Sequence, residues 1–212
     1  NLGIAQIEEL IDNQALDKID ALLALLAADG LIIHVNPMQE WLQPEGDRLK
    51  RSALESIEQV LRVGSYPVIV KEVGQGFGPE SLRALFRLPL AAIDLAGSGG
   101  TNFALLEILR KEEDKRDTYS NLAYLGHSAE EMIGFINSFD KSEMKCKEVI
   151  ISGGIKNFLD GYFLRGKLGL NSVYGQASAF LKFARGDYQA LQEYVASQIE
   201  GYKLAQNFLK IR

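Results

Sequence analysis

The sequence predicts an α/β fold, and within that class a TIM-type (βα)8 barrel. Short apolar runs of strand length alternate with segments that have the apolar spacing of helices. Most of the runs end in glycine-rich or polar turns, so parallel strands joined by helices are expected. A doubly wound sheet would alternate in the same way. Because polar residues follow many different strands rather than lining one crevice, we favour the barrel.

Composition limits the size of the fold and its partners. The chain has 212 residues, of which 47% are hydrophobic, so one domain over residues 1–212 is expected. This length is short for a complete barrel of about 250 residues. A net charge of -5 argues against nucleic acid or an anionic membrane surface as partner. Cys146 is the only cysteine, no apolar run could span a bilayer and no signal peptide is visible, so a cytoplasmic location is expected.

Six strands are expected, and the last five of them are expected to lie parallel and side by side in the order of the sequence. Asn1–Gly3 has the character of the end of a strand. The other five are apolar runs that a glycine or a polar turn follows. They cover residues 31–36, 67–72, 91–96, 148–152 and 170–174.

The expected helices have either a start signal or an amphipathic face. Ser52 with Glu55 forms the pattern of a capping box, the stretch from Ser128 to Glu131 could cap another helix, and Pro79 stands at the natural first position of a third. The carboxyl-terminal segment has apolar residues at helical intervals and is expected to be a long closing helix. In chain order the helices are predicted at residues 13–26, 52–63, 79–87, from 102, at 128–137, 157–165, 179–184 and 187–212.

Four groups with proton or metal chemistry follow the strand at residues 31–36. His34 and Asn36 point to the same side of that strand, and a proline then ends it so that Gln39 and Glu40 curl over its carboxyl end. Barrel enzymes keep their chemistry at this end of the strands. The alternative is a half-buried histidine with ordinary contacts beside a solvated loop. The four groups together favour a functional site.

Glycine-rich turns follow the later strands. Residues 97–101 leave room for a phosphate or a flat ring to reach backbone N–H groups. Gly153-Gly154 and the turn at 175–178 follow the last two strands, where barrels build a phosphate site, although each is also compatible with an ordinary tight turn. Lys71 ends an otherwise apolar strand. Its amine either reaches solvent or neutralises a phosphate or a reduced ring.

Five stretches form a set of motifs: His34 to Glu40, Gln43 to Asp47, Val70 to Gly74, Asp94 to Thr101 and Ser152 to Ile155. Together they closely resemble type 2 isopentenyl-diphosphate isomerase, and the resemblance runs from the first residue to the carboxyl end. It implies an FMN-dependent barrel that interconverts isopentenyl diphosphate and dimethylallyl diphosphate, with Mg²⁺ and with FMN held reduced by NADPH. It also implies a homo-oligomer, tetramer or octamer. The 212 residues then correspond to about strands three to eight, so that the barrel is incomplete at its amino terminus.

The resemblance implies a role for each candidate residue. Gln39 lies beside the allylic carbon that loses its proton, and His34 and Asn36 hold the substrate. Glu40 coordinates the Mg²⁺ that neutralises the diphosphate, as suits a hard cation. Proton exchange is assigned to reduced FMN. The implied flavin contacts are Asn1, Lys71, Ser98, Thr101, Gly153, Gly154, Gln176 and Ala177.

The sequence also departs from the family. The basic motif that grips the diphosphate near the family's amino terminus and the first barrel strands are not among the 212 residues. Phe103 stands where many members have tryptophan, and the residues at 176–179 replace the usual Ala-Arg-Pro. A barrel without its first strands has two unpaired edges, so the 212 residues alone are expected to aggregate or to depend on another chain.

Three other functions are compatible with parts of this pattern. The chain could be a non-catalytic FMN- or phosphate-binding barrel, an inactive fragment, or another FMN-dependent barrel oxidoreductase. The hydroxy-acid oxidases need a histidine base beside arginines after the seventh strand, where this chain has residues Gly153 to Lys156. A nucleotide dehydrogenase would need a nucleophilic cysteine in the loop after a strand, but Cys146 precedes one.

Overall fold

The computed structural model describes residues 1–211 and contains one six-stranded parallel sheet. The strands pair in the order of the sequence, and each neighbouring pair is parallel. The predicted order and direction are therefore confirmed, and each of the five longer strands is one to three residues shorter than predicted. The strands are β1 (Leu2–Gly3), β2 (Leu31–His34), β3 (Val68–Lys71), β4 (Ala92–Asp94), β5 (Glu148–Ile151) and β6 (Asn171–Tyr174).

Helices connect the strands. Two of the predicted start signals operate as expected, because Ser52 with Glu55 and Ser128 with Glu131 form reciprocal capping boxes. The helices are α1 (Ile4–Asp12), α2 (Asp17–Leu26), α3 (Pro37–Leu42), α4 (Ala53–Val63), α5 (Pro79–Phe86), α6 (Phe103–Leu109), α7 (Glu113–Tyr119), α8 (Ala129–Asn137), α9 (Phe158–Lys167), α10 (Ser178–Ala184) and α11 (Tyr188–Phe208), with a 3-10 helix at Ser120–Tyr124.

The predicted helix at residues 13–26 is wrong at its beginning. The structure has two helices, α1 and α2, and Gln14 between them adopts a left-handed φ of 52°. α1 was missed although its buried Ile4 and Ile7 have helical spacing. The predicted closing helix at 187–212 is also too long, because Leu209 is extended and α11 ends before it; Arg212 lies outside the described residues.

The sheet buries one face against the helices. Along β2, Leu31 and Ile33 are buried and belong to the main hydrophobic core, whereas Ile32 and His34 are only half-buried. The sequential strand order requires each crossover to run in the same direction, which excludes the order reversal of a doubly wound sheet. Closure of these strands into an eight-stranded barrel stays a prediction. No helix within residues 1–211 is both long and apolar enough to cross a membrane.

Candidate functional site

Three polar side chains stand in one row across the sheet. His34 pairs in register with Lys71, and Lys71 pairs with Asp94, so the three share the half-buried face at the carboxyl ends of β2, β3 and β4. His34 Nδ1 lies 3.1 Å from Asn1 Oδ1. Burial lowers the pKa of His34, and Lys71 lowers it further, against the opposing effect of Glu40. The imidazole is therefore neutral at pH 7.

A cavity of about 360 Å³ opens over the carboxyl ends of β3 to β6. We call it the glycine cavity. Its lining includes six of the eight predicted flavin-contact residues, Lys71, Thr101, Gly153, Gly154, Gln176 and Ala177. The other two are elsewhere, since Asn1 contacts His34 and Ser98 is exposed with its N–H donating to the His127 carbonyl.

The glycines of this cavity are required by close backbone contacts. Gly153 and Gly154 have φ values of 87° and 76°, which are unfavourable for other residues. A Cβ on Gly153 would lie 2.0 Å from the carbonyl oxygen of Gly97, so the turns after β4 and β5 touch through their backbones. Such turns present N–H groups to an anion. The backbones of these turns therefore fit a phosphate. At the other side of the cavity, the amine of Lys71 suits an electron-rich part of the same ligand.

The side-chain oxygen of Gln176 is unsuited to contact a phosphate. The Gln176 Oε1 atom is buried and has no hydrogen-bond partner among the described residues, and its amide nitrogen is 3.5 Å from Gln198 Oε1. An acceptor oxygen repels a phosphate, whereas it would accept from a hydroxyl group. Backbone N–H groups at the Gly153-Gly154 turn, rather than this oxygen, would hold the phosphate.

A second cavity of about 330 Å³ lies beside the first and shares Val73 and Phe103 with it. We call it the amide cavity, because Asn36, Gln39 and Gln75 line it. The structure thus brings two of the three predicted catalytic residues to a space that adjoins the glycine cavity. His34 and Glu40 line neither cavity.

Asn36 ties the predicted catalytic and metal residues together. Its amide nitrogen donates to Glu40 Oε1 at 2.9 Å and to Gln39 Oε1 at 3.3 Å. The N–H of Asp47 donates to the other Glu40 oxygen at 3.2 Å. Asn36 is the residue that precedes α3, so the start of this helix sets the three side chains. Its own Oδ1 is buried without a partner in the described part of the chain, which leaves an acceptor for a ligand.

Glu40 by itself offers an incomplete metal site. Within residues 1–211, no group of three His, Cys, Asp or Glu side chains is placed to hold a metal ion. Mg²⁺ is commonly bound by one or two carboxylates together with waters and substrate phosphates. The donor set therefore fits a Mg²⁺ ion that arrives with a diphosphate, and does not fit a metal held by protein groups alone.

Glu72 organises the loop between the two cavities and was not among the residues predicted for the site. Its Oε2 accepts the N–H groups of Gly74, Gln75 and Gly76 at 2.7, 2.6 and 2.7 Å. Burial raises the pKa of Glu72, and these N–H groups oppose that shift. The sequence signal was a glutamate just before a glycine-rich loop, whose amides a carboxylate can gather.

Glu8 on α1 was also missed, and it fixes the loop that reaches Glu40. Its carboxylate accepts the N–H of Lys50 at 3.0 and 2.9 Å and the N–H of Arg51 at 2.9 Å. Glu8 is only 5% exposed. Since Asp47 in the same loop donates to Glu40, Glu8 supports the carboxylate that is the metal candidate. No sequence signal joins residues this far apart.

Several curated proteins that are similar to this chain are named isopentenyl-diphosphate delta-isomerase. No model of a protein family matches the chain. Isopentenyl-diphosphate delta-isomerase of Cronobacter sakazakii is 36% identical over 207 residues, covering 97% of this chain and 57% of that protein. The proteins of that name from Bdellovibrio bacteriovorus and Bacillus licheniformis are 33% and 37% identical, covering 94% and 89% of this chain and 55% and 51% of their own lengths.

The chain spans just over half the length of these curated relatives. Among solved structures, a mandelate oxidase variant with an FMN adduct covers 90% of this chain and 54% of its own, at 16% identity and a TM-score of 0.46. A likeness at this level does not establish a shared fold.

Proposed function

We propose that the chain is the carboxyl-terminal part, strands three to eight, of an FMN-dependent type 2 isopentenyl-diphosphate isomerase. The whole protein interconverts isopentenyl diphosphate and dimethylallyl diphosphate by a 1,3-allylic proton shift. The observation that carries the proposal is the pair of adjoining cavities, which share Val73 and Phe103. One fits a cofactor with a ring and a phosphate, and the other presents the amides of Asn36 and Gln39 to a small substrate. The names of the similar proteins support the same reaction.

The residues divide between cofactor, metal and substrate. Lys71 and Thr101 would contact FMN in the glycine cavity, and backbone N–H groups of the Gly153-Gly154 and Gln176-Ala177 turns would hold its phosphate. Asn1 and Ser98 lie outside the glycine cavity, so they would contact FMN only where further chain completes the cavity. Reduced FMN, kept reduced by NADPH, supplies the proton exchange.

The side chains around β2 bind and orient the substrate. His34 lies outside both cavities, so it would contact the substrate where the substrate extends beyond the amide cavity. Because His34 is neutral and is held by Asn1, it would add no charge beside the diphosphate. Asn36 fixes the direction of Gln39, whose amide lies beside the departing proton. Glu40 binds Mg²⁺ together with the diphosphate. Only Glu40 among these four carries a charge that the cation needs.

The location, oligomeric state and partners of the protein are also part of the proposal. We expect a cytoplasmic homo-oligomer, tetramer or octamer, whose partners are a small diphosphate substrate and NADPH as reductant. An isomerase with no net oxidation needs the flavin as an acid and base rather than as an electron carrier. The second candidate is a non-catalytic FMN-binding barrel, for which the glycine cavity alone would be sufficient.

The test varies the redox state of the flavin and, separately, the side chain of Gln39. In the whole protein with FMN and Mg²⁺, turnover should be absent under air and appear after NADPH or dithionite is added. Gln39→Leu should lower kcat far more than substrate affinity. Gln189→Leu, on the exposed side of α11, is the matched control and should change neither.

Three results would oppose the proposal. Full turnover by the oxidised protein would remove the flavin from proton transfer. Loss of turnover in His34→Ala but not in Gln39→Leu would favour a histidine-based mechanism. Stoichiometric FMN binding without any turnover under reducing conditions would favour the non-catalytic barrel.

A further inference from the structure

Asp94 at the end of β4 is a carboxylate in the glycine cavity to which the proposed function gives no role. It lines the cavity and is half-buried. The Ser152 hydroxyl donates to Asp94 Oδ1, and the same hydroxyl oxygen accepts the N–H of Ala96 at 3.1 Å. Ser152 therefore fixes one carboxylate oxygen. The other oxygen, Oδ2, has no hydrogen-bond partner within residues 1–211.

The charge of Asp94 is not neutralised by its neighbour. Lys71 is the residue paired with it in register, but the Lys71 amine donates to the Glu72 carbonyl at 2.8 Å. The described part of the chain has no ion pair between Lys71 and Asp94. A carboxylate oxygen without a partner in a cavity accepts hydrogen bonds from a ligand that carries donors, and it repels a phosphate.

The order of residues across the sheet places Asp94 in the middle of the cavity. Lys71 ends β3, Asp94 ends β4, and the Gly153-Gly154 turn follows β5. Neighbouring strands are about 4.8 Å apart, so the lysine and the glycine turn are separated by roughly 10 Å. A cofactor with its ring near Lys71 and its phosphate at the glycine turn must pass its linker over Asp94. In FMN that linker is the ribityl chain, which carries hydroxyl groups.

We propose that Asp94 is a cofactor-positioning residue whose free oxygen accepts a hydrogen bond from a ribityl hydroxyl of FMN, with Ser152 holding the carboxylate in place. Acidic side chains bind sugar hydroxyls in the same way in dinucleotide-binding folds. The negative charge also directs the cofactor, because a phosphate at the Asp94 position would be repelled. This inference rests on the proposed function, since it requires FMN in the glycine cavity.

The experiment measures FMN affinity by flavin fluorescence in the whole protein that contains this chain. FMN is compared with analogues that each lack one ribityl hydroxyl. Asp94→Ala should weaken FMN binding by about 10- to 100-fold, the range for a charge-assisted hydrogen bond. For the analogue that lacks the contacted hydroxyl, the affinities of wild type and Asp94→Ala should differ by no more than about twofold. Asp29→Ala, at an exposed aspartate outside the cavity, is the matched control.

Two further measurements keep the test independent of folding. Asp94→Asn retains the shape and one acceptor, so it should bind FMN with an intermediate affinity and an unchanged melting temperature. Wild type alone should bind the analogue without the contacted hydroxyl about 10-fold more weakly than FMN. Equal FMN affinity in wild type and Asp94→Ala would overturn the inference. It would also be overturned if wild type bound every analogue more weakly than FMN by the same factor, whichever hydroxyl the analogue lacks.

The outcome separates this inference from the proposed function. If wild type binds FMN and isomerises the substrate while Asp94→Ala binds FMN equally well, only the role of Asp94 fails. If wild type binds no FMN, both fail together.

Discussion

Removing the Glu8 carboxylate should destabilise the fold through a loop that lies far from it in sequence. In Glu8→Ala, the N–H groups of Lys50 and Arg51 lose an ionised acceptor at 2.9 to 3.0 Å. Hydrogen bonds to charged groups contribute about 1.5–3 kcal/mol each. Because Lys50 is exposed and water replaces part of its bond, we expect a loss of about 2–3 kcal/mol in the free energy of unfolding.

The assay is urea unfolding of the whole protein that contains this chain, followed by circular dichroism, with the midpoint and the slope fitted separately. Glu8→Gln keeps one acceptor oxygen and should lose clearly less stability than Glu8→Ala. The control is Asp12→Asn on the same helix, because Asp12 pairs with the side chains of Lys50 and Arg51 at the surface. If Glu8→Ala lowers the midpoint no more than Asp12→Asn does, the loop is not held by Glu8.

Three other changes test the site itself. Glu40→Gln should abolish Mg²⁺-dependent turnover in the whole protein and leave FMN affinity nearly unchanged, because it removes only the charge; unchanged activity would exclude Glu40 as ligand. Since burial holds the pKa of His34 below its usual 6.5, stability should fall as pH drops from about 6.5 through the folded pKa, and His34→Gln should remove that fall while His127→Gln keeps it. Gly153→Ala should prevent FMN binding because its Cβ meets the neighbouring turn, whereas Gly186→Ala should not.

Local signals in the sequence predicted much of the fold. The apolar runs identified five strands, and the capping residues Ser52 and Ser128 identified the starts of α4 and α8, because these features involve neighbours along the chain. Helix α1 was missed as a whole, because the first helix was assigned from residue 13 onward on the helical spacing of the apolar residues at 16, 19, 22, 23 and 26. The parallel order followed from the strands once the fold class was chosen, but the register that aligns His34, Lys71 and Asp94 was not predicted.

The long-range contacts could not be predicted in the same way. Glu8 and Lys50 are 42 residues apart, and Asp94 and Ser152 are 58 apart, and no local pattern joins them. The resemblance named the stretches that contain Asp94 and Glu72 but gave these carboxylates no role. The division of the site into two cavities depends on the packing of Val73 and Phe103, which the sequence alone does not specify.

The central claim is that the flavin serves an isomerisation without being consumed as an oxidant or a reductant. The direct measurement counts NADPH oxidised per molecule of isopentenyl diphosphate converted, anaerobically, in the whole protein with FMN and Mg²⁺. We predict that many molecules are converted for each NADPH, with deuterium from D₂O incorporated into the dimethylallyl product. Consumption of one NADPH for each molecule converted, or product without solvent deuterium, would contradict the claim and favour an FMN-dependent oxidoreductase.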